Sequence, residues 1–88
     1  MTCQWDQAKN RANLAKHGVD FSDAVAVFED DLALTRPDLD SRSEIRSVIL
    51  GMDGFGRHLV VVFTDRGTSI RIISARLATK QERKSYES

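Results

Sequence analysis

Two arginines five residues apart, Arg71 and Arg76, bracket the run Ile72-Ile73-Ser74-Ala75. A guanidinium is a planar fork that matches two oxygens of a phosphate. Arg71 interrupts an apolar strand-like segment, and an arginine on a strand face needs a reason. Phosphate binding is one. An ion pair with an acid on a helix, or a charge that guards a sheet edge, is the other. His17 stands before Gly18, at the expected end of a helix. Imidazole as a side-chain type suits proton transfer near neutral pH; a cation set against the last helical carbonyls is the plainer reading. Lys16 beside it could hold a polyanion or, with a lowered pKa, act as a base, and it equally fits an ordinary surface lysine. His58 opens a strand and has no evident partner in the sequence.

Three further candidates cluster on the last helix. Glu82 and Tyr86 are i, i+4 neighbours, and Arg83 is i, i+3 from Tyr86. Glu82 is accounted for by helix capping, Tyr86 by packing against a sheet, and Arg83 by a basic groove or an acidic partner. Stacking on a base is the functional alternative for Tyr86. Trp5 and Asp6 read as a core ring and a helix cap.

The elements that must position these groups follow from the pattern of residues. Asp6 can cap a helix from Gln7 to about Lys16, with Ala8, Ala12 and Ala15 on one apolar line and Gly18 as a left-handed C-cap. Asp20 or Ser22 can cap a second helix through Phe28, on which Phe21, Ala24, Val25 and Phe28 form a core-facing stripe. Glu29-Asp30-Asp31 marks an exit turn. A short strand is expected from Leu32 to Thr35 and a loop from Arg36 to Arg42 around the only proline, Pro37.

Strands are expected at Ile45 to Leu50, His58 to Thr64 and Ser69 to Arg76. Turns at Asp53-Gly54-Phe55-Gly56 and Asp65-Arg66-Gly67 separate them. Short connections make these an antiparallel meander. Thr79 to Glu82 is a capping box that starts a short final helix. The expected class is α+β: two N-terminal helices on a three- to four-stranded antiparallel sheet plus a short C-terminal helix, with the helices on one face.

This architecture exposes a difficulty at the candidate site. On a regular strand Arg71 shares a face with Ser69, Ile73 and Ala75, while Ile70, Ile72 and Ser74 take the other. Arg76 then points away from Arg71. A common phosphate site needs either a bulge or a strand that ends near Ala75, and the nearby Thr79 cap favours the early ending.

Composition narrows the class of protein. Eighty-eight residues are expected to form one domain, 1–88. No apolar run approaches the ~18 residues of a membrane span. The first residues do not read as a secretion signal. Cys3 is the only cysteine, which allows no internal disulfide and no thiol cluster for zinc. These features point to a cytoplasmic protein. Net charge is zero, yet residues 1–44 carry five Lys/Arg against nine Asp/Glu, and residues 45–88 carry eight against four. A local basic field that attracts phosphate is compatible with this, as is a solvated polar face.

Several short stretches, in order and with similar spacing, carry a family resemblance. They are Trp5-Asp6 with Lys9 and Asn13, Lys16-His17-Gly18-Val19, Phe21 with Ala24 and Phe28, and Leu34-Thr35-Arg36-Pro37 with Asp38. Gly51, the strand before Thr64, Arg71 to Arg76, and Ala78, Glu82, Arg83 and Tyr86 complete them. The chain resembles the BrnT family, the toxin half of a bacterial type II toxin–antitoxin pair related in fold to the RelE/ParE toxins. The resemblance implies ribonuclease activity without cofactor, catalytic roles for Lys16, His17, Arg71 and Arg76, and substrate contacts from Arg83, Glu82 and Tyr86. It implies a BrnA-like ribbon-helix-helix antitoxin, a toxin–antitoxin heterotetramer, and operator DNA bound through that complex. RNA cleavage needs no metal if the 2′-OH attacks the adjacent phosphate with a base, cations and an acid in reach. An inactive module that only binds antitoxin and nucleic acid is the main alternative. A ParE-like toxin that binds a topoisomerase is the other.

Overall fold

A computed structural model describes residues 2–39 and 45–88. The expected loop residues Asp40 to Arg42 therefore lie outside the described residues. The chain runs through β1 (Thr2–Gln4), α1 (Gln7–His17), α2 (Phe21–Ala24) with a 3-10 turn over Val25–Glu29, β2 (Leu34–Pro37), β3 (Ser47–Met52), β4 (His58–Asp65), β5 (Ser69–Leu77) and α3 (Lys80–Glu87).

The meander is present and is the centre of a five-stranded sheet in the order β1-β5-β4-β3-β2. The sheet is mixed rather than antiparallel, because β1 pairs parallel to β5 with Cys3 opposite Ile70. The missed strand is three residues long, too short for alternation to register as a signal. The short strand expected at Leu32–Thr35 falls at Leu34–Pro37 instead, which takes Arg36 and Pro37 out of the expected loop. Pro37 is tolerated because β2 is an edge strand. The second helix gives only one α turn before tightening to 3-10.

The main core lies on one face of the sheet. Phe21, Ala24 and Val27 bury against Ile49, Leu59, Val61, Phe63, Ile70, Ile72 and Ala75. Trp5 is half-buried against it and meets Phe21 edge-on at 6.3 Å between ring centroids. Gly51 belongs to this contact, since a Cβ there would lie 2.9 Å from Val27 Cγ1. The opposite face carries a smaller cluster of Val48, Val60 and Ala78 with Leu50 and Val62. There α3 packs, its Glu82 and Ser85 lining a groove floored by Val48, Leu50 and Val60. Helices therefore occupy both faces, not one, because α3 begins directly after β5 and turns back onto the side away from α2.

The attachment of α1 is polar. Asp6 caps it by accepting from the Ala8 and Lys9 N–H groups, and Gly18 ends it at φ 71°. The alanine line Ala8, Ala12 and Ala15 is exposed, and Asn13 is the buried residue of the helix. Asn13 Nδ2 donates to Val19 O at 2.9 Å and to Ala75 O at 2.8 Å, and Ala75 N–H donates back to Asn13 Oδ1 at 3.1 Å. Since β1 covers only Ser69 to Arg71 of this edge, the Asn13 amide takes the place of a missing strand residue beside Ala75. Asn10 ties the same helix to α2, donating to Asp20 Oδ1 and accepting from Phe21 N–H.

Asn13→Ala would strip these bonds and leave a buried edge N–H and C=O unpaired. The expected cost is about 2–3 kcal/mol in urea unfolding, whereas Ala12→Ser on the exposed line should change stability by less than about 0.5 kcal/mol.

Candidate active site

A bulge in β5 decides which way the arginines point. Val62 pairs with Ser74, and the next pair is Phe63 with Ile72, so Ile73 is an extra residue in the ladder. Each extra residue inverts the alternation beyond it. Ile70 and Ile72 are buried in the main core before the bulge and Ala75 after it. Ala75 and Ser74 thus exchange the faces that a regular strand would give them. Arg71 pairs with Thr64 and Arg76 with Val60, and Thr64 and Val60 alternate with the core residues Leu59, Val61 and Phe63. Both arginines consequently lie on the face opposite the main core. The strand does not end near Ala75 but continues to Leu77; the bulge, not an early ending, brings the two guanidinium groups to one side.

Their surroundings differ. Arg76 forms a fork-to-fork pair with Glu82, Nη1 to Oε1 at 2.8 Å and Nη2 to Oε2 at 2.9 Å. Glu82 also accepts from Thr79 N–H at 2.8 Å while Thr79 Oγ1 accepts from Glu82 N–H, which completes the capping box. Capping is therefore only half of its role. The hydrogen bonds from Arg76 lead the causes that hold the Glu82 carboxyl at about 2, against an ordinary 4.5, with the Thr79 N–H adding to them. Arg71 is half-buried and, among the described residues, makes no hydrogen bond or ion pair. The acid it senses is Asp6, whose pKa is lowered mainly by the Ala8 and Lys9 N–H groups and least by Arg71.

His17 is the last residue of α1, half-buried, and Lys16 is exposed beside it. The helix climbs along β5: Asp6 senses Arg71, and Asn13 grips Ala75, the neighbour of Arg76. One further turn brings Lys16 and His17 level with the end of β5. The two groups thus belong to the helix that meets the β5 edge at Ala75, the residue before Arg76. Arg83 is exposed and donates to Ala78 O at 3.2 Å, without an acidic partner among the described residues. Tyr86 is a packing residue: its hydroxyl donates to Asp30 Oδ2 at 2.7 Å, and its ring meets His58 edge-on at 4.8 Å. That gives His58 the partner its sequence context did not reveal.

Asp30 was legible only as part of an exit turn. Beyond Tyr86, it accepts from Met52 N–H at 2.8 Å and from Leu32 N–H at 3.0 Å, and the Met52 bond leads the causes that lower its pKa. It fastens α3, β3 and the 3-10 turn together. Its signal in the sequence is an acid at a helix exit, where negative charge is unfavourable unless other donors satisfy it.

Fold and site together define a small α+β protein with two arginines on the sheet face opposite the main core and a histidine-ending helix at the sheet edge. The family model described as "Ribonuclease toxin, BrnT, of type II toxin-antitoxin system" matches residues 5–82, and the chain belongs to that family. The 1.1 Å crystal structure of the Brucella abortus ribonuclease toxin BrnT superposes with a TM-score of 0.72 at 32% identity, covering 91% of this chain and 99% of that one. No curated protein sequence matches the chain. The protein is thus a ribonuclease toxin of a type II toxin–antitoxin system.

The Arg76–Glu82 pair makes a pH prediction. Because the Glu82 carboxyl titrates at about 2 instead of 4.5, its stabilisation is full above about 4.5 and is lost as pH falls toward 2. Glu82→Gln keeps the cap acceptor but not the charge. By urea unfolding, wild type should exceed this variant by about 1–2 kcal/mol at pH 7, allowing for solvent screening of a partly exposed pair, and by almost nothing near pH 2.

Proposed function

We propose that the sheet face opposite the main core, beside α3, holds the scissile phosphate of an RNA strand and that cleavage proceeds without metal. The observation that carries this reading is the bulge at Ile73, which leaves Arg71 and Arg76 on one face. The 2′-OH attacks the neighbouring phosphorus and the bond from phosphorus to the 5′-oxygen breaks. A 2′,3′-cyclic phosphate and a 5′-OH result. Arg71, which has no acidic partner among the described residues, stabilises the charge gathering on the phosphoryl oxygens. Arg76, held rigid by Glu82, supports the same charge with less reorganisation. His17 or Lys16, arriving at the sheet edge, takes the 2′-OH proton or protonates the leaving oxygen. Arg83 extends the basic surface toward the rest of the strand, and Glu82 and Tyr86 support the groove from α3.

The partner reading rests on the family description of a type II toxin–antitoxin system. A BrnA-like ribbon-helix-helix antitoxin covers or abuts the basic face, and the pair assembles as a heterotetramer that reaches operator DNA through the antitoxin. No helix among the described residues is long and apolar enough to cross a membrane, and a cytoplasmic location agrees with an RNA substrate.

Labelled free RNA incubated with the protein in EDTA tests the chemistry. Wild type should cleave it. Arg71→Ala, folded by circular dichroism, should be slower by about 100-fold or more, and His17→Ala by a comparable factor if it moves a proton. Cleavage that stops in EDTA and returns with a divalent cation would overturn the metal-free reading. Full activity in Arg71→Ala would remove the phosphate site.

A further inference from the structure

Arg71 sits in the middle of a polar row that crosses three strands. The register puts Gln4 of β1 on one side of it and Thr64 of β4 on the other. Adjacent strands lie about 4.8 Å apart, so the row spans about 10 Å of this face. Ser74 and Val62 form the next pair along the same two strands.

Thr64 is the unusual member. It is 8% exposed, and its Oγ1 is a buried side-chain oxygen with no hydrogen-bond partner. Threonine and valine have nearly the same shape, and Val60 and Val62 occupy the two preceding positions of the same face. A buried hydroxyl without a partner is destabilising where a valine would not be. The hydroxyl is thus a donor and acceptor kept beside a guanidinium that has no ion pair among the described residues. A cation would be repelled there by Arg71. An oxyanion would satisfy the guanidinium, the Thr64 hydroxyl and the Gln4 amide together, since all three can donate. Gln4 is exposed and Arg71 half-buried, so the row is open to solvent at its β1 end.

We infer that Gln4, Arg71 and Thr64 form one subsite for a phosphodiester of the RNA strand, with Thr64 as a substrate-contacting residue whose hydroxyl finds its partner only when RNA is bound. The inference rests on the proposed role of Arg71 and extends it to two residues of other strands. Arg71 takes two phosphate oxygens in its fork, and Thr64 and Gln4 donate from either side to fix the register of the strand.

The test is binding of a short fluorescent 2′-O-methyl RNA, which cannot be cleaved, measured by anisotropy with the full chain at fixed salt. Thr64→Val should bind about 5–10-fold more weakly while its unfolding midpoint stays the same or rises. Thr64→Ser, which keeps the hydroxyl, should bind nearly as wild type. If the valine variant does not fold, the comparison of Thr64→Ser with Thr64→Ala isolates the same hydroxyl. Arg71→Ala separates this inference from the reading beneath it. Weakened binding in Arg71→Ala with wild-type binding in Thr64→Val overturns the role of Thr64 alone. Wild-type binding in both overturns the phosphate site as well.

Discussion

One extra residue in β5 governs the geometry of this protein. With Ile73 outside the ladder, the strand can bury Ile70, Ile72 and Ala75 in a single core and still present Arg71 and Arg76 on the opposite face. A regular strand would have to choose. Either Arg76 would turn into the core beside Phe21 and Val27, or Ala75 would leave it, and a buried unpaired guanidinium costs several kcal/mol. The same irregularity sits just before Ala75, whose edge N–H and C=O are taken by Asn13. The bulge thus fixes the direction of the cations, and the residue just beyond it anchors the helix that ends in Lys16 and His17.

Around that constraint the charges are divided between support and availability. Arg76 is committed to Glu82, and Glu82 to the cap of α3, so the guanidinium, the end of β5 and the start of the helix form one unit. Asp30 closes the far end of α3 through Tyr86. The helix is therefore held on the second face at both ends by hydrogen-bonded carboxylates, over a small apolar cluster. Arg71 is left outside these networks, beside a hydroxyl that is also outside them. Structural pairs rigidify the frame, and unpaired donors are what a phosphate needs.

The parts of this arrangement that local chemistry determines were legible in the residues. Asp6, Gly18 and the Thr79–Glu82 box announce helix ends, and the valine-rich run after His58 announces a central strand. The stripe from Phe21 announces the core. What was not legible depends on pairing across the sheet. The parallel partner of Thr2–Gln4 lies at the other end of the chain, and nothing within three residues can signal it. Ile73 looks like any strand isoleucine, and only its position between Val62 and Phe63 makes it a bulge. The alanines of α1 suggested an apolar face, yet two asparagines three apart, both poor helix formers, were the contact residues. The family resemblance brought Lys16, His17, Arg71 and Arg76 together as a set; only the tertiary structure could say that the helix ending in His17 meets the edge of β5 through Asn13 and that Arg76 is already paired.

On the proposed reading, RNA meets the face of the sheet opposite the main core, on the side of β5 to which the bulge turns both arginines. The most direct measurement is amide and side-chain chemical-shift mapping by NMR with an uncleavable 2′-O-methyl RNA. Shifts are expected at Arg71, Ser74 and Arg76 and at the Lys16–Gly18 corner, with the α2 face unmoved. Perturbations confined to the α2 face or to the β2 edge, with Arg71 and Arg76 silent, would contradict it.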